Sequence, residues 1–270
     1  MTPDPALNPA MPMGSATSGV RRSQLAAAAP ERYGAGPRRS RSGGYPQIAE
    51  ELQTAALSNQ WVSRVLNVLL ALIALLFALP ILILVGLAVK LTSRGPVFYT
   101  QERVGLDRRS VGRAEQNRRR QRDLGGQPFT IYKFRTMRVD AERESGAVWA
   151  RQDDPRVTPV GGFLRQYRLD ELPQLLNVLR GEMNIVGPRP ERPSIFAELR
   201  GHIAEYPLRQ RAKPGITGLA QISHHYDRSI DDVRRKVHFD LEYIRRQSVW
   251  EDVRIMLQTI PVILFRRGGW

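Results

Sequence analysis

From Val68 to Val89 the chain reads VLLALIALLFALPILILVGLAV, without a charged residue, and nothing else in it restricts the fold as much. As a helix these roughly 22 residues would extend about 33 Å, enough to cross a hydrocarbon core of ~30 Å. Apolar side chains fall on every face, which would be unusual for a core helix of a soluble protein, so the segment is expected to enter a membrane. Pro80, near the middle, removes a backbone donor and bends the helix, so the chain can either span the bilayer or turn back to the same face. Lys90, Arg94, Arg103, Arg108 and Arg109 follow the run, whereas only Arg64 stands close before it. That bias puts the C-terminal part in the cytoplasm.

The apolar run divides the chain. Residues 1 to about 45 are dominated by Pro, Ala, Gly, Ser and Arg and read as a disordered basic tail that ends by residue 50. Residues 51–94 hold the membrane-entering helix, and 95–270 are long enough for one cytoplasmic domain. Cysteine is absent, which excludes disulfides, thiolate zinc sites and a cysteine nucleophile. The formal net charge of +15 points to a polyanionic partner: nucleic acid, anionic lipid or a phosphorylated substrate. An arginine-rich loop at 106–127 lies close to the membrane exit, where each basic residue can gain about 1 kcal/mol beside anionic lipid.

Gly95–Gly105 looks extended, and Phe129–Met137 reads as a strand carrying Lys133 and Arg135. Asp153, Asp154 and Pro155 mark a turn before a helix from about Val160 to Tyr167 that carries Arg165. A helix is expected from Glu171 to Arg180, with Asp170 as its N-cap, Pro173 in its first turn and Gly181 at its stop. Leu172, Leu175, Leu176 and Leu179 would be its core stripe. Further helices are expected over Ser194–Tyr206, Ile230–Arg246 and Val249–Phe265, the last packing on the core or lying at a membrane interface. Lys213–Ile222, KPGITGLAQI, reads as a tight loop whose backbone N–H groups could face an anion. His202, His224, His225 and His238 show no metal-ligand spacing, and no nucleotide-binding glycine loop or nucleophile elbow is present.

The adjacent acids Asp170 and Glu171 stand between Arg165 and Arg168 on one side and Arg189, in a Gly-Pro-Arg-Pro turn, on the other. They can be ordinary helix-start residues. They also suit phosphate chemistry, because carboxylates hold a hard cation or attack phosphorus while arginine forks match phosphate oxygens.

Taken together, the apolar run, GPVFYTQERVG, YKFRTM, DDPRVTPVGGFLR, LDELPQLLNVLRGEMNIVGPRP and PGITGLAQI occur in an order that resembles the bacterial sugar transferase family. These are the monotopic polyprenyl-phosphate phosphoglycosyl transferases. The likeness covers roughly residues 61 to 265. It implies an α+β, predominantly helical protein with a re-entrant helix broken at Pro80, a catalytic domain with interfacial amphipathic helices, and a place on the cytoplasmic face of the bacterial inner membrane. It also implies a reaction, in which a sugar-1-phosphate moves from a nucleoside diphosphate sugar, usually a uridine one, to polyprenyl phosphate. By the same resemblance Asp170 is the nucleophile, Glu171 its partner, and both hold Mg2+. Lys133, Arg165 and Arg189 would bind phosphate, with Lys213 a further substrate contact. The implied partners are membrane lipids and downstream glycosyltransferases; a homo-oligomer is allowed and nucleic acid is not expected. Leu79 stands where relatives often have serine, and Gly162 where arginine is common. Two rival functions are a membrane-tethered nucleic-acid-binding protein and an inactive scaffold for glycan assembly. The scattered basic residues and the intact acidic pair argue against them.

Overall fold

A computed structural model describes residues 48, 51–52, 60–108, 125–141, 154–223 and 229–265. The expected basic tail, most of the arginine-rich loop, and His224 and His225 lie outside the described residues.

The apolar run forms a single helix, α1, from Gln60 to Thr92, continuing on both sides of Pro80. Its buried residues are Asn67, Ala71, Ala78, Val85 and Val89, one narrow stripe in which two alanines allow close approach of the domain. Much of the remaining surface, including Leu69, Leu72, Ile73, Leu76, Phe77, Leu84 and Leu87, is exposed. The helix is long and apolar enough to cross a membrane.

One domain holds both ends of α1. Near its start, Arg64 donates from Nη1 to Val178 O at 2.5 Å and from Nη2 to Leu179 O at 2.6 Å, while Asn67 Oδ1 accepts from Ile185 N at 2.6 Å. Beyond its C-terminal end, Arg135 Nη2 donates to Ser93 O at 2.8 Å and to Ser93 Oγ at 2.6 Å.

Strands β1 (Phe98–Val104) and β2 (Pro128–Phe134) pair antiparallel, with Phe98 opposite Phe134 and Val104 opposite Pro128. The other edge of β2 is closed by a side chain. Asn177, fully buried, accepts from Tyr132 N at 3.2 Å and donates to Thr130 O at 2.7 Å, as a neighbouring peptide would.

Helix α2 (Pro159–Gln166) starts at Thr158, whose hydroxyl accepts from Gly161 N at 3.0 Å. The next stretch differs from the expected continuous helix. Leu169–Gln174 is a 3-10 helix, and only Leu175–Arg180 is α-helical (α3), ending at Gly181 with φ 82° as expected. Asp170 is not the N-cap. That position falls to Arg168, at φ 54° the single non-glycine residue with positive φ among the described residues, and no side chain caps the helix. Leu176 is exposed, whereas Val178 is fully buried. The tighter 3-10 winding rotates the apolar stripe away from the α-helical count.

Lys213–Ile222 is not a loop. Gly215–Thr217 (β4) pairs parallel with Asn184–Val186 (β3), and Leu219–Ser223 forms a short helix, α5, after α4 (Pro193–His202) and a 3-10 helix at Tyr206–Arg211. One of the backbone N–H groups expected to face an anion is engaged within the fold, because Gly215 N donates to Pro188 O at 3.0 Å. Helices α6 (Ile230–Arg246) and α7 (Val249–Leu264) match the expected spacing, each capped by a serine, Ser229 and Ser248. Helix α7 buries Ile255 but exposes Trp250, Leu257, Ile260 and Leu264 along one side.

Gly161 is the tightest backbone approach near the site. A Cβ there would lie 2.0 Å from Thr136 O, whereas the same atom on Gly162 meets nothing nearer than Val157 at 3.9 Å. Gly161→Ala is therefore expected to cost about 1–3 kcal/mol by overpacking. Gly162→Ala should be neutral or slightly stabilising. Thermal melts of the two variants check the contrast, and equal melting temperatures would contradict it.

Candidate active site

The 3-10 helix turns Asp170 and Glu171 into the protein, with 7 % and 4 % exposure. Lys133 reaches them from β2, Arg189 from the turn after β3, and Arg168 from the residue before the 3-10 helix. Lys133 Nζ donates to Glu171 Oε1 at 2.7 Å and lies 4.0 Å from Asp170 Oδ2. Arg189 Nη2 donates to Glu171 Oε1 at 2.6 Å, and its Nη1 lies 3.4 Å from Oε2. Arg168 Nη1 approaches Oε2 at 3.7 Å. Glu171 thus gathers the cations, whereas Asp170 faces them at longer range.

The two carboxylates titrate apart accordingly. Burial pushes the Asp170 carboxyl up to about 6; Lys133 opposes this shift and the neighbouring Glu171 adds to it. Burial would raise Glu171 too, but the Arg189 and Lys133 charges overcome it and hold Glu171 well below the usual carboxylate range. Lys133 is lowered, mainly by burial. Arg165, on α2, adds a favourable charge at Asp170.

Three of the expected residues, Glu171, Lys133 and Arg189, therefore meet in direct contact, Asp170 lies 4.0 Å from Lys133, and Arg165 acts on Asp170 through its field. Lys213 does not join them; it lies in a separate cavity with Arg64. Arg168, which the sequence shows only as a neighbour of the acids, is a further cation at Glu171, and the sequence reading left out two participants. Gln221, on α5, accepts from Arg189 Nη1 at 3.2 Å and keeps a buried Nε2 without an acceptor among the described residues. Arg209 is 1 % exposed, donates from Nε to Asp240 Oδ2 at 2.6 Å and from Nη1 to the Tyr206 hydroxyl at 2.8 Å, and carries the Arg189 carbonyl on Nη2 at 3.0 Å. Gln221 carries no charge to draw attention, and the 31-residue separation of Arg209 from Asp240 shows no local pattern.

Among the described residues, no group of three or more His, Cys, Asp or Glu side chains could hold a metal alone. Asp170 and the lightly engaged Oε2 of Glu171 do suit a hard divalent ion that takes its remaining oxygens from water and a diphosphate. Cations outnumber acids around the pair, an arrangement whose charge suits a polyanion, on a domain that carries an apolar helix. The chain belongs to the bacterial sugar transferase family, whose model matches residues 58–266. It is 42 % identical over 204 residues to a UDP-glucose:undecaprenyl-phosphate glucose-1-phosphate transferase of Escherichia coli (strain K12), covering 75 % of this chain and 40 % of that protein. A protein of the same description from Caulobacter vibrioides is 40 % identical over 227 residues, covering 82 % of this chain and 73 % of the relative. An exopolysaccharide production protein of Sinorhizobium fredii is 38 % identical over 221 residues, covering 77 % and 87 %. The chain spans about two fifths of the length of several of the curated relatives it matches.

Proposed function

We propose that the protein transfers a sugar-1-phosphate from a uridine diphosphate sugar to undecaprenyl phosphate through a phospho-sugar intermediate on Asp170. The observation that carries this reading is the division between the two acids. Glu171 is neutralised and fixed by Lys133 and Arg189, while Asp170, buried and more basic, keeps its oxygens free for phosphorus. In the first step an Asp170 oxygen bonds to the phosphorus that bears the sugar, the bridging P–O bond breaks, and UMP leaves with the electron pair. In the second, an oxygen of the lipid phosphate attacks the same phosphorus and returns the carboxylate. Each displacement is easier than a direct transfer between two bulky anions.

Lys133, Arg189 and Arg168 are fixed in advance by Glu171, so they stabilise charge on the transferring phosphoryl group with little reorganisation. Mg2+, held at Asp170 and Glu171, would neutralise the donor diphosphate. Attachment of both ends of α1 to one domain supports a re-entrant or in-plane helix, with the catalytic domain on the cytoplasmic face of the inner membrane. The exposed apolar side of α7 suits the same interface. A lipid phosphate and a soluble donor would meet there, in the first membrane step of an exopolysaccharide, capsule, O-antigen or glycoprotein glycan. Downstream glycosyltransferases would consume the product.

Detergent-solubilised protein with Mg2+, undecaprenyl phosphate and a panel of uridine diphosphate sugars is expected to release UMP with at least one donor. The absence of UMP with every donor would overturn the assignment.

A further inference from the structure

Beside the N-terminal end of α1, on residues the proposed reaction does not use, lies a cavity of about 440 Å3. Its lining includes the apolar side chains Trp61, Val65 and Leu69 of α1, together with Lys213 and Gln247. Lys213 is half-buried, and no carboxylate pairs with it among the described residues. Burial first, then repulsion from Arg64 and Arg108, draws its pKa down. A partly desolvated ammonium without a counter-charge is costly until an anion joins it. Gln247 presents a second unmet need, because its buried Oε1 has no donor among the described residues. Asp252 also lines the cavity, but its Oδ1 accepts from the Tyr243 hydroxyl at 2.8 Å and it makes no pair with Lys213.

We propose that this cavity binds the head group of an anionic phospholipid of the phosphatidylglycerol type. Its phosphodiester would sit on Lys213, a glycerol hydroxyl would donate to Gln247 Oε1, and an acyl chain would follow Val65 and Leu69. The inference rests on the reading that α1 lies in the bilayer. Charge and shape select the class. A zwitterionic head would bring a cation toward Arg64 and Lys213, inorganic phosphate would leave the apolar wall unmatched, and polyprenyl phosphate offers no glycerol hydroxyl to Gln247.

The test is native mass spectrometry of the full chain in detergent, with phosphatidylglycerol, phosphatidylcholine, inorganic phosphate or undecaprenyl phosphate added and no sugar donor. Phosphatidylglycerol should be retained in preference to phosphatidylcholine. Lys213→Met should lose roughly tenfold in affinity, the scale of one charge-assisted hydrogen bond. The same variant should melt at a higher temperature than wild type without lipid, because the unpaired cation is gone. Gln247→Leu should weaken binding severalfold. Equal retention by wild type and Lys213→Met would overturn the proposal, as would displacement of the lipid by inorganic phosphate or undecaprenyl phosphate at equal concentration. Because no donor is present, a failure here is separate from a failure of UMP release.

Discussion

Asp170→Asn is expected to lower sugar-phosphate transfer by at least about 10³-fold, the scale of losing a covalent nucleophile, while leaving the fold intact. The side chain is buried, its carboxyl is raised to about 6, and the nearest cation among the described residues is 4.0 Å away. The neutral isostere therefore removes a charge the fold holds weakly, and the melting temperature should stay level or rise. Glu171→Gln should behave in the opposite sense. It takes the counter-charge from Lys133 and Arg189, and breaking a buried pair in this way costs roughly 3–5 kcal/mol. Activity would then fall together with stability. A second readout isolates the chemistry: with a uridine diphosphate sugar and no acceptor lipid, wild type should release one burst of UMP and Asp170→Asn none. Turnover by Asp170→Asn within tenfold of wild type would refute the nucleophile assignment.

The contrast between the two acids shows what the sequence can and cannot disclose. Their identity is legible, since adjacent carboxylates between arginines are a local pattern, and so are Gly181 as a helix stop and the extents of α6 and α7, set by serine caps and helical spacing. Their division of labour is not legible. It depends on Arg168 adopting a positive φ and on the 3-10 winding that follows, which turns Glu171 toward Lys133 on a strand 38 residues earlier. Expecting Asp170 as an N-cap gave weight to local propensity, where cations brought in by the tertiary fold decide the geometry. The Lys213–Ile222 stretch misleads for a related reason. Its glycines suggest a tight loop, but Gly215 is small because its backbone touches that of Gly187: a Cβ on Gly215 would lie 2.1 Å from Gly187 N. Lys213 is expected at the site only because of the family resemblance; it lines a cavity that shares none of its residues with the acidic pair.

A loss of stability as large as that of Glu171→Gln is expected from Asp240→Ala. Asp240 and Arg209 are 2 % and 1 % exposed and meet at 2.6 Å, so removing the acid leaves a guanidinium buried without its counter-charge. That costs roughly 3–5 kcal/mol, a large share of the ~5–15 kcal/mol that holds a typical domain together. For a domain of this size the melting temperature should fall by about 10 °C. Arg209 does a second thing that a pair of apolar residues could not, since its Nη2 holds the Arg189 carbonyl and so fixes the turn that delivers Arg189 to Glu171. Replacing both partners, Arg209→Met with Asp240→Leu, removes the buried charges together and should recover most of the lost stability. It should not recover transfer, because the Arg189 carbonyl has lost its donor and the guanidinium on the other side of that residue is no longer positioned. Melting curves and UMP release on the single and double variants therefore separate folding from positioning. A double variant that regained both would show that Arg209 serves the fold alone.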